Sequence, residues 1–273
     1  RGWLALATGD ARVARQHYEL AVESARRGAL PDRIASMYRA GLAISLVAAG
    51  DEDAAEGIIE ELEFLPGPRG LALRAANLAL VRACRARRLG AEDYEQRLAE
   101  GMRAARDQGL LRFFRLSPPL AAMLCSDALK SNIETEFVRK AIAARNLQHP
   151  PDADDRWPWK LKLYTLRPFE VRIDEEPLDY DGKARTRPLA LLKLLAAQSG
   201  APIAITRVTD WLWPDQDPAQ ARGSFDVTAS RLRGMLRHKE ALAIGEGKVA
   251  LDAHLVWVDT RAFVETARRC SDP

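Results

Sequence analysis

Cysteine and histidine are scarce in this chain, and neither is clustered. Three cysteines and four histidines occur in 273 residues. Cys84, Cys125 and Cys270 are far apart, and no histidine has a second histidine or a cysteine at the spacing that metal ligands need. We therefore expect the free thiols of a reducing cytoplasm, no metal and no cofactor.

Long apolar runs and catalytic signatures are also missing. The longest apolar stretch covers about residues 41–50, far shorter than the roughly 18–20 residues of a membrane span. No signal-peptide pattern opens the chain. No G-x-S-x-G or H-E-x-x-H motif occurs, and Gly245-Glu246-Gly247-Lys248 lacks the spacing of a nucleotide-binding P-loop. The sequence therefore predicts neither a membrane protein nor an enzyme.

Neither sign of charge is in excess. Lys and Arg total 41 and Asp and Glu total 38, which gives a net charge of +3. Composition therefore indicates no particular partner, and nucleic-acid binding has to be argued from the positions of the charges. The chain opens at Arg1 within a helical pattern, and we expect it to be a piece of a longer protein.

Residues 1–147 have apolar side chains three and four positions apart, which predicts helices throughout. Turn-like glycines recur among them: Gly50 follows Gly9 by 41 residues, and Gly90 follows Gly50 by 40. A constant period of about 40 residues per helix pair predicts an α-helical repeat solenoid.

The turns ATGDARVA, AAGDEDAA and RLGAEDYE, with the lengths of the helices between them, resemble the tetratricopeptide-like sensor arm of MalT-type signal-transducing ATPase regulators. The resemblance implies an arm that binds a small-molecule or protein inducer, with any ATPase module upstream. The concave face of such arrays is the usual binding surface. The aromatic residues that could line it, unless they are ordinary packing residues, are Trp3, Tyr18, Tyr38, Phe113 and Phe114.

The second half differs in texture from the first. Residues 148–158 are rich in proline and aspartate and are typical of a linker. Strand-like runs follow, and then three predicted helices, Arg187–Ser199, Thr206–Trp213 and Ala219–Lys239, and two strands, Leu242–Gly245 and Lys248–Leu251. This order predicts an α+β winged helix-turn-helix domain over 159–258. Residues 259–273 are a C-terminal helix or the start of a further helical domain.

The helix predicted at Ala219–Lys239 has two unlike faces. At about 100° per residue, Phe225, Ala229, Leu232 and Leu236 form a buried stripe. The opposite face, flanked by Arg233 and Arg237, contains Gly223, Ser224, Val227, Ser230, Arg231 and Gly234. Small residues let a helix approach base edges, Arg can donate to both guanine acceptors, and Val can contact a thymine methyl. The pattern predicts a helix that reads the major groove of DNA; the alternative is a structural helix with surface arginines.

Longer segments resemble known DNA-binding families. DVTASRLRGML resembles the recognition helix of OmpR-type winged helices. LWPDQDPAQARGSFDVTASRLRGML is similar, and more closely so, to the SARP class of bacterial transcriptional activators. WPWKLKLYTLRPFEV and VWVDTRAF resemble the opening strands of that class and the junction to its activator domain.

This resemblance implies roles for single residues. Ser224, Val227 and Arg231 correspond to base or groove contacts, Thr228 and Arg233 to phosphate contacts, and Thr206 and Arg207 to backbone contacts of the preceding helix. Ser230, Arg237 and Lys248 complete the expected DNA-binding set. The segment that touches RNA polymerase corresponds to Trp213, Asp215, Gln216 and Asp217. Wings of the class are usually basic, whereas this one contains Glu246, so its contribution stays open.

The sequence as a whole predicts a transcriptional regulator, with an activator favoured. Promoter DNA and RNA polymerase are the expected partners, and binding to DNA as a dimer or in tandem is expected. The alternative is a protein-interaction scaffold whose winged helix no longer binds DNA, which the acidic wing and the neutral overall charge favour.

Overall fold

The structure, a computed structural model, describes residues 1–63, 71–111, 113–179 and 186–271. It divides into two compact units, Arg1–Arg156 and Trp157–Pro273. The first unit is helical, and the second combines helices with small sheets. The described chain is therefore mostly helical with a small sheet region. Within it, no helix combines the length and the apolarity that crossing a membrane requires.

The first unit is a succession of helices joined by short turns. Its helices are α1 (Gly2–Ala7), α2 (Ala11–Arg27), α3 (Asp32–Ala49), α4 (Glu52–Glu63), α5 (Leu71–Leu89), α6 (Tyr94–Asp107), α7 (Phe113–Leu116), α8 (Pro118–Lys130) and α9 (Thr135–Arg145). Gly9, Gly50 and Gly90 have φ of 83°, 83° and 62°, a left-handed conformation that glycine adopts without strain. Each lies between two helices, so the turns that the spacing predicts are present.

Neighbouring helices of the first unit pack in pairs, with α2 against α1 and α3, and α5 against α6. Tyr18 of α2 is buried, and a Cβ built at Gly41 of α3 would overlap its ring. The short helix α1 also contacts α7 and α8. In a simple solenoid each repeat touches only its neighbours, so this contact is not one that the predicted array contains.

The predicted linker is partly folded onto the first unit. Lys130 of α8 donates to Asp152 at 2.9 Å, and Arg156 donates to the carbonyl oxygen of Lys130 at 2.9 Å. Burial alone would raise the pKa of Asp152, but the hydrogen bond and charge of Lys130 hold it below its ordinary value. Residues 148–156 therefore belong to the first unit, although they contain no helix or strand.

The second unit contains two sheets and several helices. Its elements are β1 (Leu161–Tyr164), β2 (Glu170–Ile173), β3 (Glu176–Pro177), α10 (Thr186–Ala197), β4 (Ile203–Ala204), α11 (Ile205–Leu212), α12 (Pro218–Leu236), a 3-10 helix (Lys239–Ala241), β5 (Leu242–Gly245), β6 (Lys248–Leu251), β7 (Val256–Val258) and α13 (Asp259–Ser271). One sheet has the order β3-β2-β1-β7, and the other has the order β4-β6-β5.

Strand pairing joins distant parts of the second unit. β1 runs antiparallel to β2, with Leu161 opposite Ile173, and parallel to β7, with Leu161 opposite Val256. β6 lies between β4 and β5, with Val249 opposite both Ile203 and Ile244. The hairpin β5–β6, named the wing below, is therefore anchored to the segment that immediately precedes α11.

Helix α12 is the centre of the second unit and packs against both α10 and α11. Phe225, Ala229, Leu232 and Leu236 are all buried, which confirms the predicted apolar stripe. The helix begins where the Asp217 carboxylate accepts the N–H groups of Ala219 and Gln220, a typical N-cap. It ends at Leu236, because Arg237 has a left-handed φ of 60°. The prediction that it continues to Lys239 is wrong, and Lys239 begins the 3-10 helix.

Helix α13 is attached to the second unit by buried polar groups. The Asp259 carboxylate accepts the backbone N–H of Thr165 at 2.6 Å and that of Leu166 at 2.8 Å. Arg261 donates to the carbonyl oxygen of Ser199 at 2.7 Å, and burial lowers its pKa. The segment after the last strand is therefore helical as far as residue 271, and the helix contacts β1 and β7. Residues 272 and 273 of the predicted C-terminal segment lie outside the described residues.

Candidate nucleic-acid interface

The outward face of α12 has a centre of small residues. Gly223, Val227, Ser230 and Gly234 follow one another at three- and four-residue intervals, and all four are exposed, Val227 by 52%. At about 100° per residue, Arg231 lies on one edge of this face and Arg233 on the other, whereas Arg222 lies towards the buried stripe, beside Phe225. The face combines a flat middle with guanidinium groups at its edges.

The two glycines of this face have no packing role. A Cβ built at Gly223 or at Gly234 meets no atom within 4 Å. Glycine inside a helix costs about 0.5–1 kcal/mol relative to alanine. Neither the helix nor its packing requires these glycines, and the open space beside them leaves the backbone of α12 accessible.

Most of the predicted DNA-binding residues are exposed, and Ser224 is half-buried. The exposed ones are Val227, Ser230 and Arg231 of α12, Arg237 directly after it, Thr206 and Arg207 of α11, and Lys248 of β6. Arg207 of α11 lies over the ring of Trp211, with 4.7 Å between its Cζ and the ring centroid. This stacking holds the Arg207 guanidinium at the surface of α11.

Two predicted site residues are buried. Thr228 is only 6% exposed, because three residues after Phe225 and four before Leu232 it lies on the inner side of α12. Its phosphate contact stays a prediction that the burial of its side chain does not support. Trp213 is 9% exposed and belongs to the core of the second unit, so it anchors the loop that follows α11. The polymerase contact that the resemblance implies for this loop stays a prediction.

Arg233 is hydrogen-bonded to the wing and also lines a groove beside it. Its Nη2 donates to the carbonyl oxygen of Leu242 in β5 at 3.0 Å, and its Nε is buried without a hydrogen-bond partner. A groove of about 850 Å³ runs between this residue, the 3-10 helix and the wing. The charged residues that line it are Arg233, Lys239, Glu240, Glu246 and Lys248. Three cations and two carboxylates therefore meet where the wing begins.

The loop before α12 is hydrogen-bonded to Ser224 of α12. Asp215, Gln216 and Asp217 are exposed, and Asp217 also caps α12. The Ser224 hydroxyl donates to Oε1 of Gln216 at 2.8 Å. A residue expected to contact DNA is thus directly bonded to one expected to contact RNA polymerase.

Sequence reasoning missed two groups of charged residues near α12. Arg222 and Asp226 form an exposed ion pair near the start of the helix, and their i, i+4 spacing was a signal for it. His238 Nε2 lies 2.9 Å from Oδ2 of Asp174, which joins the end of α12 to the turn between β2 and β3. No sequence signal pointed to that second pair, because 64 residues separate its members.

The aromatic residues suggested as an inducer site are mostly core residues. Tyr18, Phe113 and Phe114 are 8%, 2% and 0% exposed, so they pack the first unit, as the alternative interpretation held. Trp3 is 45% exposed and Tyr38 is half-buried. A separate pocket of about 650 Å³ lies between the end of α6 and the start of α9, with Arg106, Glu134 and Phe137 among its lining residues.

Among the described residues, no three His, Cys, Asp or Glu side chains are arranged to hold a metal ion. Burial raises the pKa of the Cys84 thiol to about 12 and raises that of Cys125, so both are held protonated. No family model, no curated protein and no solved structure matches the chain.

Proposed function

We propose that this chain is the DNA-binding part of a bacterial transcriptional regulator. The second unit serves as a winged helix-turn-helix module of OmpR/SARP type, with α12 as the recognition helix and β5–β6 as the wing. The observation that carries the proposal is the outward face of α12. It is small and unpacked at its centre, with arginines at its edges.

Recognition by this module would follow from the chemistry of base edges and phosphates. Helix α12 enters the major groove, where Arg231 donates to guanine and Val227 contacts a thymine methyl. Phosphate contacts position the module and supply much of the affinity. The exposed residues that suit phosphate contacts are Thr206, Arg207, Arg237 and Lys248. Ser230, on the outward face of α12, would contact DNA inside the major groove. Arg233 adds positive charge to the groove beside the wing.

The first unit is proposed to be a tetratricopeptide-like arm that senses or relays a signal. A small-molecule or protein inducer would bind to it, and the loop with Asp215, Gln216 and Asp217 would contact RNA polymerase. The Ser224–Gln216 hydrogen bond offers a direct link between DNA and that loop. Binding as a dimer or in tandem on promoter DNA in the cytoplasm completes the proposal, with recognition and no catalysis.

A protein-interaction scaffold is the second candidate function. The specific observation that favours it is the wing, whose tip residue Glu246 is exposed and would face phosphate. Glu240 and Glu246 also lower the positive charge of the adjacent groove. A scaffold should bind its partner with little dependence on salt, whereas DNA binding weakens steeply as salt is raised.

Selection from a random duplex library at low and at moderate salt tests the proposal. The whole chain is incubated with the library, and the retained duplexes are sequenced. A short enriched motif that is lost at the higher salt supports the regulator. Retention without a motif contradicts sequence-specific regulation, and no retention even at low salt favours the scaffold.

Two exposed arginines separate the expected roles in the same assay. Arg231→Ala should reduce discrimination at one base position by about 1–3 kcal/mol. Arg207→Ala, the matched control on α11, should weaken all duplexes about equally and lower the salt slope by about 1. Equal effects of the two variants on every sequence would rule out base reading by Arg231.

A further inference from the structure

Four charged side chains of the first unit form a closed ring of alternating sign. Arg87 of α5 donates through Nε to Asp127 of α8 at 2.5 Å, and Nζ of Lys130 lies 3.7 Å from the same carboxylate. Lys130 also donates to Asp152 at 2.9 Å, and Asp152 lies 3.6 Å from Nη2 of Arg87. The four side chains are 16–30% exposed. Each cation therefore contacts both carboxylates at a partly buried site.

The ring joins parts of the first unit that are far apart in the chain. Tyr94, the first residue of α6, donates its hydroxyl to Asp127 at 2.7 Å. Burial and this hydrogen bond raise the pKa of Tyr94, so it remains a neutral donor. Among the ring members Asp152 alone lies outside a helix, in the segment 148–156 that leads into the second unit. Three helices thus meet that segment at one charged site.

Residues 148–156 contain no helix or strand and are bonded to the helices through charged side chains. Arg156 donates to the carbonyl oxygen of Lys130 at 2.9 Å, and Arg139 of α9 donates to the carbonyl oxygen of Arg156 at 3.1 Å. Pro150 is buried at the start of the segment. Release of such a segment breaks no regular element, and local opening of this kind costs less than global unfolding.

Docking of the segment and the balance of charge in the ring depend on each other. Without Asp152, Arg87 and Lys130 would share the single carboxylate of Asp127, which leaves a partly buried positive charge without a partner. A buried charge that loses its partner is costly. A displacement of α5 would remove Arg87 from the ring, and one of α6 would remove the hydroxyl that Asp127 accepts, so either change weakens the hold on Asp152.

We infer that residues 148–156 are a latch, docked on the first unit while the ring is intact and released when α5, α6 and α8 move apart. The inference rests on the proposed function for its purpose, because a relay needs an element whose two states both units influence. The latch deepens that proposal, since it names the part of the first unit that would pass on a change in helix packing.

Trypsin cleavage of the whole chain after Arg156 tests the latch. The bond to Trp157 is open to the protease only when the segment is released, and at low protease the rate follows the released fraction. Asp152→Asn should speed this cleavage about 10-fold, because it removes a charge-assisted hydrogen bond. Asp152→Glu, which keeps the carboxylate, should be cleaved more slowly than Asp152→Asn. Mass spectrometry of the products 1–156 and 157–273 gives the rates.

Tyr94→Phe tests the coupling to the helices. Its hydroxyl is bonded to Asp127 and not to Asp152, so faster cleavage than in wild type has to arise through the ring. The matched control is Asp51→Asn, which removes a carboxylate paired with Arg15 at 2.6 Å elsewhere in the first unit and should leave the cleavage unchanged.

Each part of the inference has its own failure. Wild-type cleavage in Asp152→Asn would overturn the latch, and wild-type cleavage in Tyr94→Phe would overturn its coupling to the helices. Equal acceleration by Asp51→Asn would show general loosening of the unit and would also overturn the latch. Thermal unfolding of each variant checks that the fold is intact.

Affinity for the selected DNA motif tests the relay separately. Asp152→Asn should shift the Kd of the whole chain by about 5-fold or more, the size of an ordinary coupling between sites. Asp51→Asn changes the net charge equally and should not shift it. Equal affinities of the two variants would overturn the relay. If the wild-type chain selects no motif, the proposed function fails, whereas the trypsin result, which needs no DNA, still decides on the latch.

Discussion

At the scale of single residues, two glycines of α12 are not required by the fold. Gly223 and Gly234 are interior helical residues whose missing Cβ leaves open space. Alanine at either position fits the helix sterically and restricts the unfolded chain. The fold alone would therefore be more stable with alanine at either position, and the open space beside both glycines leaves room for another molecule to approach the backbone.

We predict that Gly223→Ala and Gly234→Ala each raise the free energy of unfolding by about 0.5–1 kcal/mol and weaken DNA binding. Denaturant unfolding and duplex titration of the same preparations measure the two effects. Gly57→Ala is the matched control, because Gly57 is an exposed glycine of α4 that also meets no atom within 4 Å. It should stabilise the first unit without a change in DNA affinity. Undiminished DNA affinity in both α12 variants would contradict close approach at this face.

At the scale of elements, α13 is bound to the sheet by one carboxylate. Asp259 accepts three backbone N–H groups, those of Thr165, Leu166 and Thr260, and the Thr165 hydroxyl, and it is itself 9% exposed. The same helix caps the end of α10 through Arg261 and the carbonyl oxygen of Ser199. Helix α13 is thereby joined to the framework that supports α12.

Asp259→Ala should lower the free energy of unfolding of the second unit by about 1–3 kcal/mol, because it leaves buried donors without an acceptor. Thermal unfolding followed by near-ultraviolet circular dichroism measures the change, since the unit contains several tryptophans. Asp215→Ala, a substitution in an exposed loop, is the control and should fall within about 0.5 kcal/mol of wild type. Equal stabilities of the two variants would show that the carboxylate does not hold α13.

At the scale of the whole molecule, charge is balanced overall but unevenly placed. The net charge is only +3, so the proposed attraction to DNA would have to come from the cations around α11, α12 and the wing. The second unit has its own buried core of apolar side chains from both sheets and from α10 to α12. Recognition should therefore reside in that unit.

We expect residues 157–273 alone to select the same motif as the whole chain. If the four cations Arg207, Arg233, Arg237 and Lys248 each neutralise one phosphate, as proposed, the slope of log K against log salt should be about −4 for one module. Affinity titrations at several salt concentrations, with both proteins, measure this slope. A fragment that folds but selects no motif would show that the first unit takes part in recognition, and a slope near zero would favour the scaffold.

Patterns within single segments were enough to predict much of the architecture and part of the site. Alternation and three-to-four spacing separated helices from strands, because these depend on local backbone geometry. The wheel of α12 identified both its buried stripe and the exposed positions of Val227, Ser230 and Arg231 for the same reason. The left-handed turns at Gly9, Gly50 and Gly90 likewise follow from glycine itself.

Tertiary structure decided what depends on segments far apart in the chain. The contact of α1 with α7, the bond of Arg233 to the Leu242 carbonyl and the His238–Asp174 pair all join residues that no local pattern relates. The burial of Trp213 depends on the helices around it. Sequence by itself determined the elements and the outward face of α12, since these are properties of one helix. Only the tertiary structure determined which of the predicted side chains reach the surface, because burial is set by the neighbours that the fold brings to each one.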